Sequence, residues 1–300
     1  MHVKQTSHSK YLKFIVLVAI LVVVTIGGLL VFRYLSNDSK DSQATLRSRT
    51  VSAIIKSCDP QHPIVFSHRG SIYDNPEHSF AGYDAAIRDG SAFIEQDVML
   101  SKDGKLFVTH DDNLFRTTGR NIQVSKTSAK QLRTVPLGNG EKLHELADVF
   151  KHYGNKIHYI IEAKHNNVVG QNATEVDRQL ALAIQKFGQG KNVIVQDSSV
   201  EGLKAFHAES GMGTVPLLYL GPASLKSIEQ APSFITFYSM NIAQTTPQLM
   251  SAVKQRGFLT DLWTLQEYAD NRRAFKDLHP DSVFTNETKI TLKYLNRVSE

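Results

Sequence analysis

The amino-acid sequence predicts an α/β protein in which a single (β/α)8 TIM barrel is preceded by one N-terminal transmembrane helix. Three observations lead to this prediction. An uncharged apolar run precedes residue 33, eight short runs of β-branched and aromatic residues then alternate with helical patterns, and no glycine-rich turn of the nucleotide-binding kind joins a strand to a helix. With 300 residues, the chain has room for an anchor and one barrel domain of roughly 250 residues.

The first predicted element is a membrane anchor. Residues Phe14–Phe32 carry no charge, and at ~1.5 Å per residue this run nearly spans a ~30 Å hydrocarbon core. No small-residue cleavage site follows, which favours an uncleaved anchor over a signal peptide. Lysines before the span place residues 1–13 in the cytoplasm by the positive-inside rule. We therefore expect a single-pass cell-membrane protein with its anchor at 14–35, a polar stalk at 36–60 and an extracytoplasmic domain at 61–300.

Charge and cysteine content exclude several classes of protein. The net charge of +5 arises almost entirely before residue 36, and the rest of the chain is close to neutral. A nucleic-acid-binding protein would concentrate positive charge on its folded domain, so we predict no nucleic-acid partner. The single cysteine, Cys58, excludes an intrachain disulfide and a cysteine-rich zinc site.

Eight strand candidates follow from residue 63 onward, each a short run rich in β-branched or aromatic residues. They are Ile64–Ser67, Phe93–Leu100, Ile157–Ala163, Asn192–Gln196, Val215–Leu220, Phe234–Met240, Phe258–Leu265 and Ser282–Thr285. Helical patterns separate them, which predicts right-handed βαβ units and a parallel sheet. Eight such units favour a closed barrel, with an open doubly wound sheet as the alternative. A further run, Leu106–Thr109, is predicted to form an added strand or loop over the barrel mouth.

Acidic residues lie at the predicted C-terminal ends of the early strands, the end at which (β/α)8 barrels carry their active sites. Glu95 and Asp97 are two residues apart and share one face of their strand, as do Glu162 and Lys164. Barrel closure would bring the two pairs to one rim. Three converging carboxylates would form an oxygen-rich site of the kind that Mg²⁺ or Ca²⁺ prefers.

Basic and titratable residues accompany these acids. His68 and Arg69 follow the first strand, and His110 follows the added strand. Arg69 and Lys164 would supply positive charge to hold an anionic phosphodiester. Two histidines on neighbouring elements are suited to general acid–base chemistry.

The order of these motifs resembles that of the glycerophosphodiester phosphodiesterase family over roughly residues 63–288. The chain carries His-Arg-Gly, Pro-Glu, Glu-x-Asp, Lys-Asp-Gly, His-Asp and Glu-x-Lys in that order, with the block SKDGKLFVTHDDNLFRTTG and a late Trp263-Thr264. The resemblance implies a metal-dependent TIM barrel that splits glycerophosphodiesters, or glycerol-phosphate polymers, into an alcohol and glycerol 3-phosphate.

Carried over residue by residue, the resemblance also implies roles. His68 and His110 would form an acid–base pair. Glu95, Asp97 and Glu162 would bind Mg²⁺ or Ca²⁺, and Arg69 and Lys164 would form a phosphate clamp. Glu77, Asp111 and Trp263 would lie beside these groups or in the pocket. The sequence does not assign which histidine is the acid. Five further histidines have no ligand spacing and are predicted to be packed or solvated: His144, His152, His158, His165 and His207.

Three positions depart from the pattern that the resemblance leads us to expect. His78-Ser79 stands where Asn-Thr is usual after Pro-Glu, Gln96 stands between the metal carboxylates where an apolar residue is common, and Asn286 stands where an aspartate is usual after Thr285. None removes a named catalytic group, but they bear on the substrate pocket, and His78 could add a third imidazole near its mouth. Two other functions therefore stay open. One is lysophospholipase D or phospholipase-type cleavage of lipid in the membrane, and the other is a catalytically silent surface barrel, against which the complete residue set argues.

Overall fold

The computed structural model describes residues 27–28 and 45–298, apart from residues 167, 169, 210 and 212. Eight parallel strands form its barrel, and a ninth, β3, pairs antiparallel with the end of β2. The strands are β1 (Ile64–Ser67), β2 (Phe93–Leu100), β3 (Leu106–Val108), β4 (His158–Ala163), β5 (Val193–Asp197), β6 (Leu217–Leu220), β7 (Phe237–Asn241), β8 (Leu259–Leu265) and β9 (Ser282–Thr285). Because β1 pairs with both β2 and β9, the sheet closes. The predicted barrel is confirmed, and the open sheet is excluded.

Helices connect the parallel strands and cover the outside of the barrel. They are α1 (Val51–Ile55), α2 (Phe80–Arg88), α3 (Phe115–Thr118), α4 (Ala129–Leu132), α5 (Leu146–Tyr153), α6 (Glu175–Lys186), α7 (Val200–Glu209), α8 (Leu225–Glu229), α9 (Pro247–Gln255), α10 (Tyr268–Arg272) and α11 (Thr288–Tyr294). Short 3-10 turns lie at Val124–Lys126 and Ile242–Gln244, and a π-helical turn lies at Arg273–Leu278.

Local sequence explains how individual helices form. In α6, Val176, Leu180 and Ile184 recur every fourth residue and are all buried, which gives the helix one apolar stripe against the sheet. In α9, the Thr246 hydroxyl accepts a hydrogen bond from the Leu249 N–H, and Pro247 occupies the first turn, where its missing N–H has no cost. Such caps fix where each helix begins and so fix the lengths of the strand-to-helix loops.

The interior of the barrel changes from apolar to polar along the strands. In the part of the interior that lies away from the acidic residues, the ring of Phe66 packs against those of Phe93 and Phe284, with centroids 5.0–5.2 Å apart. We call this apolar end the floor. Two and four residues beyond Phe93 on the same face of β2 stand Glu95 and Asp97. The packed floor therefore supports a polar layer at the C-terminal ends of the strands.

Part of the segment predicted as a stalk belongs to the folded domain. Val51 and Ile54 of α1 are 1% and 2% exposed and join the apolar cluster of the floor. Burial of each such side chain stabilises the fold by roughly 1.5–3 kcal/mol, which explains why this stretch does not stay a solvated linker. The domain therefore begins before residue 61, the boundary predicted from the polar composition of the stalk.

The described residues contain no helix that is both long and apolar enough to cross a membrane. The predicted anchor at residues 14–35 lies outside the described residues except for residues 27 and 28, so it stays a prediction.

Candidate active site

Three carboxylates converge at the C-terminal end of the barrel, as the strand spacing predicts. Asp97 on β2 stands beside Glu162 on β4 in the parallel register, and Glu95 lies one pleat below on β2. Their nearest oxygens all lie within 4.8 Å of one another, and none of the three residues is more than 7% exposed. Among the described residues, Glu95 Oε1 and Asp97 Oδ1 have no hydrogen-bond partner. Buried carboxylate oxygens that accept no hydrogen bond, facing one another, fit a divalent cation.

The charges of this group are strongly coupled. Burial, together with the charge of Asp97, raises the pKa of Glu95 well above its usual value and raises the pKa of Glu162 to about 8. The pKa of Asp97 is lowered instead, because the hydrogen bond from His78 and the charge of Lys164 outweigh its burial. Three carboxylates this close repel one another, and a bound cation would relieve the repulsion.

A sharp turn after β1 brings Arg69 over the carboxylates. Arg69 and Gly70 both have positive φ, 58° and 89°, and a Cβ on Gly70 would lie 2.9 Å from the backbone carbon of Gly82. Only glycine fits this approach to α2. The Arg69 N–H donates to Glu95 Oε2 (2.7 Å), and its side chain lies 3.2 Å from both Glu77 and Asp97.

Lys164 completes the positive side of the site. Its Nζ lies 3.3 Å from Asp97 Oδ1 and contacts Glu162 Oε1. Lys164 and Arg69 therefore approach the carboxylates from two different strands, β4 and β1. Two cations fixed beside a group of acids can hold a phosphate whose remaining charge is balanced by a metal ion.

His68 is held by the loop after β9. Its Nδ1–H donates to the side-chain oxygen of Asn286 at 2.6 Å, which leaves Nε2 as the ring nitrogen with a free lone pair. Burial and the charge of Arg69 lower the pKa of His68 to about 4. The imidazole is therefore neutral at neutral pH and able to accept a proton.

His110 has a different partner, a carboxylate. Its Nδ1–H donates to Asp111 Oδ1 at 2.7 Å, and the Arg116 Nε–H donates to Asp111 Oδ2 at 2.6 Å. Burial lowers the pKa of His110, while the adjacent carboxylate is suited to stabilise the ring once it is charged. The acid–base candidates thus come from two different strands, with Nε2 of each free of hydrogen bonds from the described residues.

Glu77 joins the two halves of the site. Both of its oxygens accept hydrogen bonds at 2.8 Å from the Arg116 guanidinium, and one also lies 3.2 Å from Arg69. Although its burial raises the pKa, hydrogen bonds from Arg116 and the charges of His78 and Arg69 lower the pKa of Glu77 to about 2. Through these ion pairs, the charged Glu77 side chain connects the turn after β1 to the loop that carries His110.

Trp263 is partly buried against the apolar cluster inside the barrel.

Sequence reasoning missed four contacts of the site. Gln196, at the end of β5, donates from Nε2 to Glu162 Oε2 at 2.9 Å, and the strand-end rule used for the other acids would have found it. Arg116 lies six residues beyond His110 on α3, and no local signal ties it to Glu77. Asn286 was noted as a departure from a family pattern, and His78 as a departure that could add an imidazole near the mouth, but the sequence did not predict their partners. His78 is buried, with Nε2 3.0 Å from Asp97 Oδ2.

The five histidines predicted to be packed or solvated divide in two. His144 and His152 stack on Phe80, His158 packs against Phe93, and His207 stacks on Phe234. The fifth, His165, instead lies 2.8 Å from the carboxylate of Asp197. The sequence did not predict this ion pair, because the acidic neighbours of His165 are 12 and 32 residues away in the sequence, whereas Glu141, 2.9 Å from His144, is only three residues away.

Comparisons with known proteins agree with this geometry. Residues 68–290 match the glycerophosphoryl diester phosphodiesterase family. A glycerophosphodiester phosphodiesterase of Caldanaerobacter subterraneus is 26% identical over 246 residues, which cover 78% of this chain and 98% of that protein. A Rattus norvegicus lysophospholipase D is 24% identical over 271 residues, 78% of this chain and 86% of that protein. The fold matches an Oleispira antarctica phosphodiesterase solved with its product sn-glycerol-3-phosphate, with a TM-score of 0.69 at 20% identity over 78% and 97% of the two chains.

Proposed function

This chain belongs to the glycerophosphoryl diester phosphodiesterase family and is a phosphoric diester hydrolase, and we propose that it splits glycerophosphodiesters into an alcohol and glycerol 3-phosphate by two-histidine, metal-dependent catalysis. The observation that carries the proposal is the convergence of Glu95, Asp97 and Glu162 within 4.8 Å, with Arg69 and Lys164 set among them. The product named for the Oleispira antarctica structure, sn-glycerol-3-phosphate, supports the substrate class.

Glu95, Asp97 and Glu162 would hold a divalent cation, Mg²⁺ or Ca²⁺, whose chemistry is to neutralise phosphate charge and stabilise the charge that develops at phosphorus. Arg69 and Lys164 bind and orient the remaining phosphate oxygens. Glu77 keeps the Arg69 side chain at this position, since it pairs with the guanidinium at 3.2 Å.

Proton transfers fall to the histidines, because arginine and lysine stay charged near neutral pH. The attacking hydroxyl, either that of water or the glycerol 2-hydroxyl of the substrate, must lose a proton as its oxygen bonds to phosphorus, and the departing alcohol oxygen must gain one as its bond to phosphorus breaks. If the glycerol hydroxyl attacks, water then opens the resulting cyclic phosphate to give glycerol 3-phosphate. Burial and the charge of Arg69 keep His68 neutral, and its Nδ1 partner, Asn286, carries no charge that would hold the imidazolium, so His68 is assigned as the base. His110 faces the carboxylate of Asp111, which stabilises the imidazolium, so it is assigned as the acid.

The metal requirement is tested by glycerol 3-phosphate release from a panel of glycerophosphodiesters by the full-length chain, with Mg²⁺, Ca²⁺ or chelator. Glu95→Gln, Asp97→Asn and Glu162→Gln should each lose metal affinity and most activity. Asp261→Asn is the matched control, since Asp261 is also fully buried in the barrel but hydrogen-bonds Ser239 and Ser282. Unchanged turnover in chelator would show that the site does not use a metal.

The histidine roles are tested with leaving groups of different acidity. His68→Ala and His110→Ala should each lower kcat by roughly 10²–10⁴-fold on a natural diester. A nitrophenyl ester needs little protonation of its leaving group, so it should rescue His110→Ala and leave His68→Ala impaired. Equal rescue of both variants would refute the assignment.

A second substrate class is favoured by two exposed aromatic residues near the site. Tyr73 is 82% and Phe115 is 64% exposed. Tyr73 lies between Arg69 and Glu77 in the chain, and Phe115 adjoins Arg116. Aromatic side chains at a site mouth suit contact with acyl chains, and one relative carries the name lysophospholipase D. Lysolipids therefore belong in the substrate panel, and release of the head-group alcohol together with acylated glycerol 3-phosphate would identify this activity.

We also propose that the catalytic domain lies outside the cytoplasm, held by the anchor predicted at residues 14–35. The support is the uncharged run with lysines before it. Protease added to intact cells should digest the domain, while protease in lysed cells digests it and a cytoplasmic marker together. Protection of the domain in intact cells would contradict this orientation.

A further inference from the structure

A second group of metal-ligating side chains lies at the same end of the barrel, outside the carboxylate site. His165 follows β4, Asp177 lies in the first turn of α6, and Asp197 ends β5. One ligand atom from each lies within 4.8 Å of the others. The His165 Nε2 is 2.8 Å from Asp197 Oδ2 and 3.8 Å from Asp177 Oδ2. Both aspartates are fully buried.

The orientation of the His165 ring is that of a metal ligand. Its Nδ1 lies 2.6 Å from the carbonyl oxygen of Ala173, so Nδ1 carries the hydrogen that is donated. Nε2 then faces two carboxylates, so either a proton on Nε2 or a metal cation must lie between these groups. Ligating histidines commonly donate their other ring N–H to a backbone carbonyl in this way.

Asp177 supplies the independent observation. Neither of its oxygens has a hydrogen-bond partner among the described residues, although the side chain is fully buried. A proton on His165 would be shared with Asp197 at 2.8 Å and would leave Asp177, at 3.8 Å, without a partner. An unpartnered buried carboxylate destabilises the fold, whereas a divalent cation would be held by all three residues.

Gly202 on α7 has no side chain, and the carboxylates of Asp177 and Asp197 occupy the space that a side chain would take. A Cβ at this position would lie 2.1 Å from Asp197 Oδ2 and 2.9 Å from Asp177 Oδ2, closer than any real contact. Any side chain there would displace both carboxylates. The side chain of His165 is 27% exposed, so an ion has a route into the site from solvent.

We propose that His165, Asp177 and Asp197 bind a structural divalent cation of the zinc class, separate from the catalytic metal. One nitrogen and two carboxylate oxygens are the donor set that Zn²⁺ accepts, whereas Mg²⁺ and Ca²⁺ prefer oxygen alone. The cation would tie the loop after β4 to α6 and β5. Because Lys164 is the first residue of that loop, the second site would also steady the phosphate clamp.

The test measures bound zinc rather than turnover, so it reads this site whether or not the proposed hydrolysis is correct. The full-length chain is dialysed against Zn²⁺ with excess Mg²⁺, and zinc per chain is measured by elemental analysis. Wild type should retain one zinc more than His165→Ala and one more than Asp177→Asn. Added Zn²⁺ should raise the Tm of wild type and leave the Tm of both variants unchanged.

The matched control is His62→Ala, which removes an exposed histidine whose Nδ1 lies 3.2 Å from Asp59 Oδ1. It should retain zinc as wild type does. If His165→Ala fails to fold, the near-isosteric Asp177→Asn gives the same comparison. Equal zinc content in wild type and in a folded variant would overturn the proposal and leave the cluster as a proton-sharing ion pair, as would a Tm that Zn²⁺ does not move in wild type.

Discussion

At the scale of single residues, the two histidines proposed as base and acid differ in the partner of Nδ1. His68 donates to an amide oxygen of Asn286 and His110 to a carboxylate oxygen of Asp111. An amide cannot stabilise a charged ring as a carboxylate does. The position after Thr285, where the sequence departs from the pattern of similar enzymes, therefore contacts the proposed base and bears on the pH range in which that base works.

Asn286→Asp should move the acid limb of the pH profile upward. The base must be neutral to act, so kcat/KM falls as pH drops through the His68 pKa, which lies at about 4. A carboxylate beside Nδ1 would favour the imidazolium and raise that pKa by roughly one to two units, so activity would be lost at a higher pH.

The measurement is the pH dependence of kcat/KM for the two enzymes. Asn155→Asp makes the same charge change on an exposed residue just before β4, at the floor end of the barrel, and should leave the profile in place. An unchanged acid limb in Asn286→Asp would mean that His68 is not the titrating base.

We expect Arg116 to affect catalysis indirectly, through its contacts with Asp111 and Glu77. It contacts Asp111 at 2.6 Å and both oxygens of Glu77 at 2.8 Å, so it fixes the carboxylate that orients His110. Arg116→Ala should lower kcat by roughly 10–100-fold, as is typical when the partner of a functional histidine is loosened, with little change in KM.

Steady-state kinetics on a soluble glycerophosphodiester separate the two parameters. Arg120→Ala, an exposed arginine in the loop after α3, is the control and should behave as wild type. A raised KM with unchanged kcat would instead place Arg116 in substrate binding. Recovery of kcat in Arg116→Ala with a nitrophenyl ester would agree with an effect that passes through the acid His110.

At the scale of secondary-structure elements, the sequence correctly predicted the features that depend on residues close together in the chain. Strand boundaries agreed within a few residues, because β-branched runs and helix-ending glycines mark them. The pairs at i and i+2 on β2 and β4 were found for the same reason. His165, Asp177 and Asp197 could not be grouped, since only the winding of β4, α6 and β5 brings them together.

The short helix α1 lies in the segment that the polar composition predicted to be a stalk. Ile54 is 2% exposed in the floor, so Ile54→Ala should lower the free energy of unfolding by about 2–5 kcal/mol through lost burial and a cavity. Ile290→Ala on α11, where the side chain is 41% exposed, should cost much less. Chemical denaturation of the full-length chain gives both values. Equal losses would mean that α1 is not part of the cooperative fold.

At the scale of the whole molecule, the chain enters the barrel at the end opposite to the active site. Leu46 accepts a hydrogen bond from His158 at the start of β4, and the Val51 N–H donates to the carbonyl of Lys191 just before β5. Both contacts lie at the floor. His68 and Lys164, in contrast, follow the C-terminal ends of their strands. An anchor joined to this domain would hold it by the floor.

This geometry predicts a preference for soluble glycerophosphodiesters over lipid in the same bilayer. Nine residues, 36–44, separate the predicted anchor from Thr45, and they reach at most roughly 30 Å when fully extended. With the floor tethered at that distance, the site mouth opens away from the membrane, and Tyr73 and Phe115 with it. The full-length chain in vesicles should therefore have a higher kcat/KM for a soluble diester than for lysolipid in those vesicles.

Insertion of twenty glycine and serine residues after Lys40 should raise lysolipid cleavage, because a longer flexible tether lets the domain turn over, and should leave cleavage of the soluble diester unchanged. Efficient lysolipid cleavage with the native stalk, unaffected by the insertion, would show that the mouth already reaches the bilayer and would favour the lysophospholipase D activity.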